Sequence, residues 1–176
     1  MNYIFVIPGV AGAFNTKFFK QNLSFEHDTL TEDLDFTYKI HKLNKNIAFA
    51  ADAIAYTQDP PNIKSYINQV RRWYGGGWQN LFKHFDILKR PIQALELSVI
   101  YIEGLTFSIL LTLLPLINIR IALYTLGLQF LITAALAIFG AIKEKRKDIL
   151  TVPFFYFVPM YINAWIFLEQ FIKEII

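Results

Sequence analysis

The chain has 176 residues, a net charge of +3 and 55% hydrophobic residues. That apolar share exceeds the roughly 45–50% of soluble globular domains, which excludes a disordered chain and a wholly soluble one. With no Cys, there is no disulfide framework, thiolate nucleophile or Cys-ligated metal site. The charge is uneven: eleven Lys/Arg, eight Asp/Glu and all three His lie at or before Arg90, and long apolar runs fill the remainder.

Tyr3–Ile7 is an apolar, β-rich run stopped by Pro8-Gly9, and it predicts a buried strand. It lacks the basic region and the length of a signal peptide. Gly9 to Asn15 is a small-residue loop where backbone can approach a ligand closely, or simply a tight turn. Thr16–Gln21 predicts a short helix. A second helix opens at Thr29 to Asp35 and runs through Leu43, with Phe36, Ile40 and Leu43 on one face. Its first turn carries Glu32, Asp33 and Asp35, where the helix dipole favours carboxylates.

Ile47–Ala51 and Ala53–Tyr56 predict short strands, ended by Asp59-Pro60-Pro61. An amphipathic helix begins near Ile63 and places Ile67, Val70 and Tyr74 on one face. Gly75-Gly76-Gly77 is expected to interrupt it before the aromatic-rich segment Trp78–Phe85 resumes, in the manner of helices that lie in a membrane interface. His27, His41 and His84 share no ligand spacing and are expected at the surface.

Ile121–Ile142 and Ile149–Leu168 are uncharged over about 22 and about 20 residues, enough to cross roughly 30 Å of hydrocarbon. A third candidate span, about 92–117, carries Glu96 and Glu103 on one helical face. They belong either to an interfacial turn and a helix contact or to a polar path. Pro153 and Pro159 predict a kink in the last span. The basic link Lys143 to Asp148 and the basic segment Lys83 to Arg90 lie two crossings apart, so both are expected on the cytoplasmic side. Basic residues beside spans favour anionic lipid over nucleic acid as partner.

Three features occur in order: Gly9-Val10-Ala11-Gly12-Ala13-Phe14, then Thr31-Glu32-Asp33, then Gln69-Val70-Arg71-Arg72-Trp73. Followed at once by spans, they resemble the membrane-integrated inverting family 2 glycosyltransferases, which include cellulose, chitin, hyaluronan and poly-N-acetylglucosamine synthases. The resemblance implies an α/β fold plus membrane helices. The chain would be the C-terminal part of a GT-A-type glycosyltransferase domain (1–62), then interfacial helices (63–91), then a transmembrane region of about three helices (spans about 92–117, 121–142 and 149–170). The donor-binding half with its metal-holding Asp-x-Asp is not in this sequence; Asp33 and Asp35 are not read as that site. The chain is therefore expected to be a fragment of a larger protein, inactive by itself, with the status of Met1 as the true start left open.

By the same resemblance, Asp33 is the general base and Glu32 its neighbour, Gln69 and Arg72 bind the donor diphosphate, and Trp73, Gly9, Gly12 and Phe14 meet the acceptor. The implied partners are a nucleotide sugar, expected to be UDP-linked, a polysaccharide or lipid acceptor, and membrane lipid, with accessory subunits left open. A divalent metal, Mg or Mn, is implied, its ligands mostly in the absent half and none here. The expected activity is processive polysaccharide synthesis coupled to export, in an integral protein of the plasma (inner) membrane with its catalytic part cytoplasmic. The alternatives are a non-processive enzyme acting on a lipid and, in a different class, a non-catalytic membrane subunit.

Overall fold

The computed structural model describes residues 4–22, 24, 26 and 28–176. Tyr3, the expected start of the first strand, and His27 lie outside the described residues. Two compact units are present, Met1–Ser98 with Gln170–Ile176, and Val99–Glu169.

In the first unit, α1 (Thr16–Asn22) begins where Asn15 Oδ1 accepts the Phe18 N–H at 3.0 Å. Phe14 and Phe19 close on Phe36 of α2 (Glu32–Lys42), with ring centroids 4.9 and 5.5 Å away. Leu34, Phe36, Tyr38 and Ile40 are buried on α2, and so are Asp35, Thr37 and His41. α2 is therefore enclosed on more than its apolar face. Leu43, expected on that face, is instead the exposed C-cap.

Pro60 and Pro61 hold the chain out of helix until Asn62, whose Oδ1 caps α3 (Ile63–Lys83) by accepting the Ser65 N–H at 2.9 Å. α3 runs unbroken through Gly75-Gly76-Gly77, contrary to the expected interruption. Helical glycine costs about 1 kcal/mol relative to alanine, and here all three are buried, with neighbouring chain closing on Gly75 and Gly76. A 3-10 helix (Phe85–Lys89) follows, and then α4 (Pro91–Ile117) begins.

The expected α/β fold is overturned: among the described residues there is no strand, so a GT-A-type sheet is not seen. A β-rich run needs a neighbouring ladder to satisfy its backbone, and none is supplied among the described residues. Residues 4–9 instead run beside α2. In the segments expected as the second and third strands, Phe49 is 83% exposed and Tyr56 95% exposed.

In the second unit, Asn118 Oδ1 accepts from Arg120 and Ile121 N–H and starts α5 (Ile119–Glu144), which ends at the left-handed Lys145. A 3-10 helix (Lys147–Thr151) leads into α6 (Val152–Phe155) and α7 (Phe157–Ile175). Phe130 of α5 packs against Phe154 at 5.5 Å and Phe157 at 6.4 Å. The Phe167 ring lies against Gly104 so closely that a Cβ there would come within 2.8 Å of it. α4 and α5 are each long and apolar enough to cross a membrane, which points to membrane association. The stretch from Lys147 to Ile175 passes the same test as a pair bent by 50° at Tyr156, between Pro153 and Pro159, the two prolines expected to kink it.

Candidate active site

Residues 4–9 run antiparallel to α2 and are bonded to it once per turn. The Ile4 carbonyl accepts from His41 Nε2 at 2.8 Å, Ile7 N–H donates to Thr37 Oγ1 at 2.9 Å, and Gly9 N–H donates to Asp33 Oδ2 at 3.1 Å. Thr37 Oγ1 returns its own proton to the Asp33 carbonyl at 2.7 Å. Side chains of a helix thus take over the work of a missing partner strand. Asp33, the expected base, is half-buried with one oxygen against the Gly9 amide, and Glu32 beside it is exposed. A side chain at Gly9 would touch that carboxylate at 3.5 Å.

The start of α2 is seated on α3. Asn80 is fully buried, and its Nδ2 donates to the Thr31 carbonyl at 3.1 Å, to Thr31 Oγ1 at 3.0 Å and to the Gly76 carbonyl at 2.9 Å. A Cβ on Gly76 would overlap Thr31 Oγ1, Cγ2 and Cβ, so only glycine lets the two helices meet here. At 100° per residue, Gln69, Arg72, Trp73, Gly76 and Asn80 fall within about 100° of arc on one face of α3. That stripe leads from the Thr31 seat, over about 10 Å of rise, to the Gln69 end of the motif. Gln69 is half-buried, while Arg72 and Trp73 are exposed.

The glycine loop is more structural than expected. Phe14 is committed to the Phe19 and Phe36 rings, and Gly12 leaves room for it, since a Cβ there would approach the Phe14 ring at 3.0 Å.

Behind α2 lies a charged network that sequence reasoning missed. Asp35, 1% exposed, pairs with Lys39 at 2.7 Å, Lys83 at 2.7 Å and His84 Nε2 at 2.6 Å. Lys83 also binds Glu26 and Asp28, and Lys39 binds Glu26. Burial by itself would raise the Asp35 carboxyl, but hydrogen bonds from Lys39, Lys83 and His84 outweigh it and hold the group at about 2. Burial lowers His84, and the Lys42 ammonium lowers it further against the opposing Asp35. Lys42 Nζ donates to His84 Nδ1 at 2.8 Å, so the imidazole is neutral and carries its proton on Nε2 toward Asp35. His41 is likewise buried, and its pKa is lowered by that burial. The expectation of surface histidines is therefore corrected for both: each fills a polar slot between elements that a one-dimensional pattern does not reveal.

Arg90 completes the frame, donating to the His41 and Lys42 carbonyls at 2.8 and 2.9 Å and to Asn44 Oδ1 at 2.6 Å. It caps the C-terminal end of α2.

A family model described as glycosyl transferase family group 2 matches residues 2–168. The chain belongs to that family. No curated protein and no solved structure matches it. As a family 2 glycosyltransferase it is assigned to sugar transfer, which implies a nucleotide-sugar donor and an acceptor.

Family 2 glycosyltransferases generally use a divalent metal. Among the described residues, Glu26, Asp28 and Asp35 bring one carboxylate oxygen each within 4.8 Å of one another. The fit to a divalent ion is poor, because the space between these oxygens is taken by the Lys39 and Lys83 ammonium groups at 2.7–2.8 Å. Two cations already offset two of the cluster's three negative charges, and an ion would have to displace both.

The only sequence sign of the α2 seat was the glycine triplet within a helical pattern, which marks close packing. Nothing local marked Asn80, Lys83 or Arg90.

Proposed function

We propose that the chain is the acceptor-side, C-terminal part of a membrane-integrated, inverting glycosyltransferase. In this reading Asp33 takes the proton from an acceptor hydroxyl as its oxygen bonds to the anomeric carbon. The bond from that carbon to the nucleotide diphosphate breaks on the opposite face, with inversion. Glu32 adjusts the site beside the base. Gln69 and Arg72 hold the departing diphosphate, a task suited to the planar, permanently charged guanidinium. Trp73 gives the acceptor ring an apolar face, and the Gly9–Phe14 loop borders the base.

The observation that carries this reading is the Thr31 seat on Gly76 and Asn80, which ties the start of the Asp33 helix to the stripe bearing Gln69, Arg72 and Trp73. Two motifs far apart in sequence belong to one packed unit, as a shared reaction centre requires. A UDP-linked donor, processive polymer growth and export through the apolar helices complete the proposal, with the motif-bearing unit facing the cytoplasm.

The test uses membranes containing the protein expressed from its whole reading frame and supplied with radiolabelled UDP-sugars. Asp33→Asn keeps an oxygen for the Gly9 amide and gives up only the local acceptor of the Leu34 N–H, so the protein should fold, at some cost in stability, and lose transfer by at least about a thousandfold. Full transfer by that variant would remove Asp33 as the base. Long product from the unaltered protein supports the polymerase reading, whereas a single added sugar on lipid overturns it.

A further inference from the structure

Gln79 and Asn80 are consecutive on α3, and their amides hold the backbone groups on both sides of the Leu30–Thr31 peptide. Leu30 N–H donates to Gln79 Oε1 at 2.9 Å, while Asn80 Nδ2 donates to the Thr31 carbonyl at 3.1 Å. A glutamine amide presents oxygen or nitrogen equally well, so its orientation needs a cause. Glu174, near the end of α7, supplies it: Gln79 Nε2 donates to Glu174 Oε1 at 3.0 Å. An ionised carboxylate only accepts, so the amide nitrogen faces Glu174 and the oxygen is turned to Leu30.

The last turns of α7 are themselves seated on α3. The Phe171 ring lies 4.7 Å from that of Trp78, and Gln170 Oε1 sits over Gly75, 2.9 Å from where a Cβ would stand. Residues 95 positions apart thus converge on the peptide that precedes Glu32 and Asp33.

We propose that Gln79, oriented by Glu174, is a positioning residue for sugar transfer: it holds the Leu30 N–H so that α2 starts in one place and Asp33 faces the acceptor. The inference rests on the reading of Asp33 as base. Its physical basis is the steep dependence of a proton transfer on placement, where a displacement of about 1 Å costs roughly a hundredfold.

The experiment exchanges the polarity of the pair in the full-length protein in membranes. Gln79→Glu still accepts from Leu30 but sets one carboxylate against another. Its kcat should fall roughly tenfold with the donor KM unchanged. Adding Glu174→Gln gives the new carboxylate a donor and should restore kcat to within about twofold of the unaltered protein. A structural role alone would lower the protein's yield and thermal midpoint while leaving kcat per folded molecule intact. Unchanged kcat in Gln79→Glu, or a double variant no better than the single, overturns the proposal. If Gln79→Glu does not fold, Glu174→Ala at the partly exposed end replaces it: a loss of kcat by severalfold supports the proposal and unchanged kcat overturns it. Asp33→Asn is assayed alongside: full activity there removes the base and this inference together. An inactive Asp33→Asn with a fully active Gln79→Glu removes only the positioning role.

Discussion

Thr31 rests on Gly76 with no room between them for a methyl group. The contact fixes where α2 meets α3, and the cost of disturbing it can be stated. Gly76→Ala would gain up to about 1 kcal/mol of helix propensity but incur about 1–3 kcal/mol of overpacking, because Thr31 is short, branched and bonded to Asn80. A net loss of stability together with reduced sugar transfer is the expected outcome. A thermal-melting series in detergent checks it, and a raised midpoint with full activity would contradict the packing account.

Stability should fall on acidification in two stages. His41 and His84 are held below the ordinary value of 6.5 by burial, so the unfolded chain binds protons first. Stability is complete above about pH 6.5 and declines below it. Asp35, held at about 2 against an ordinary 3.8 once its ion pairs outweigh burial, adds a second loss as pH falls from about 4 toward 2. His84→Gln can still donate to Asp35 and accept from Lys42, so its melting midpoint should depend less on pH between 8 and 5. Equal slopes in the variant and the unaltered protein would rule His84 out as a source of the upper stage.

Arg72 is exposed at the open end of the α3 stripe. Arg72→Lys keeps the charge and loses the fork. Under the proposed diphosphate role, kcat/KM for the donor should drop by about tenfold or more with no change in thermal midpoint. Initial rates against donor concentration measure this, and an unaffected kcat/KM would place the diphosphate elsewhere.

Arg90→Ala removes three hydrogen bonds from the C-terminal end of α2 and should destabilise the protein by about 1–3 kcal/mol. Arg90→Lys should recover part of that loss. Hydrogen exchange of the α2 amides reports it directly, with faster exchange expected across Tyr38–Lys42.

Local signals succeeded where one segment carried the whole cause. Pro60, Pro61 and Asn62 set the start of α3, Asn118 separates α4 from α5, and apolar length marks α4, despite Glu96 and Glu103, and α5 as able to cross a membrane. The motifs Thr31–Asp33 and Gln69–Trp73 were legible as residues, and the family they resemble is the broad family that the chain belongs to. The strand expectations failed because β-propensity reports fitness for a pleated, half-buried surface, and no described residues provide the neighbouring strand. The glycine triplet was misread for the related reason that its cost is local and its compensation, Thr31 and Gln170 packed against it, is distant.

The amino-acid sequence by itself determined the division into a charged first part and an apolar second part, the helix starts, and the order of the motifs, since these depend on neighbours along the chain. Only the tertiary structure decided that Asn80 and Gly76 receive Thr31, that Gln79 links Leu30 to Glu174, and that Asp35 is buried among lysines and a neutral histidine. Those contacts span 45 or more residues for all but the Asp35–Lys39 pair. Which distant side chain satisfies a buried polar group is settled by packing in three dimensions, and it leaves no periodic trace in one.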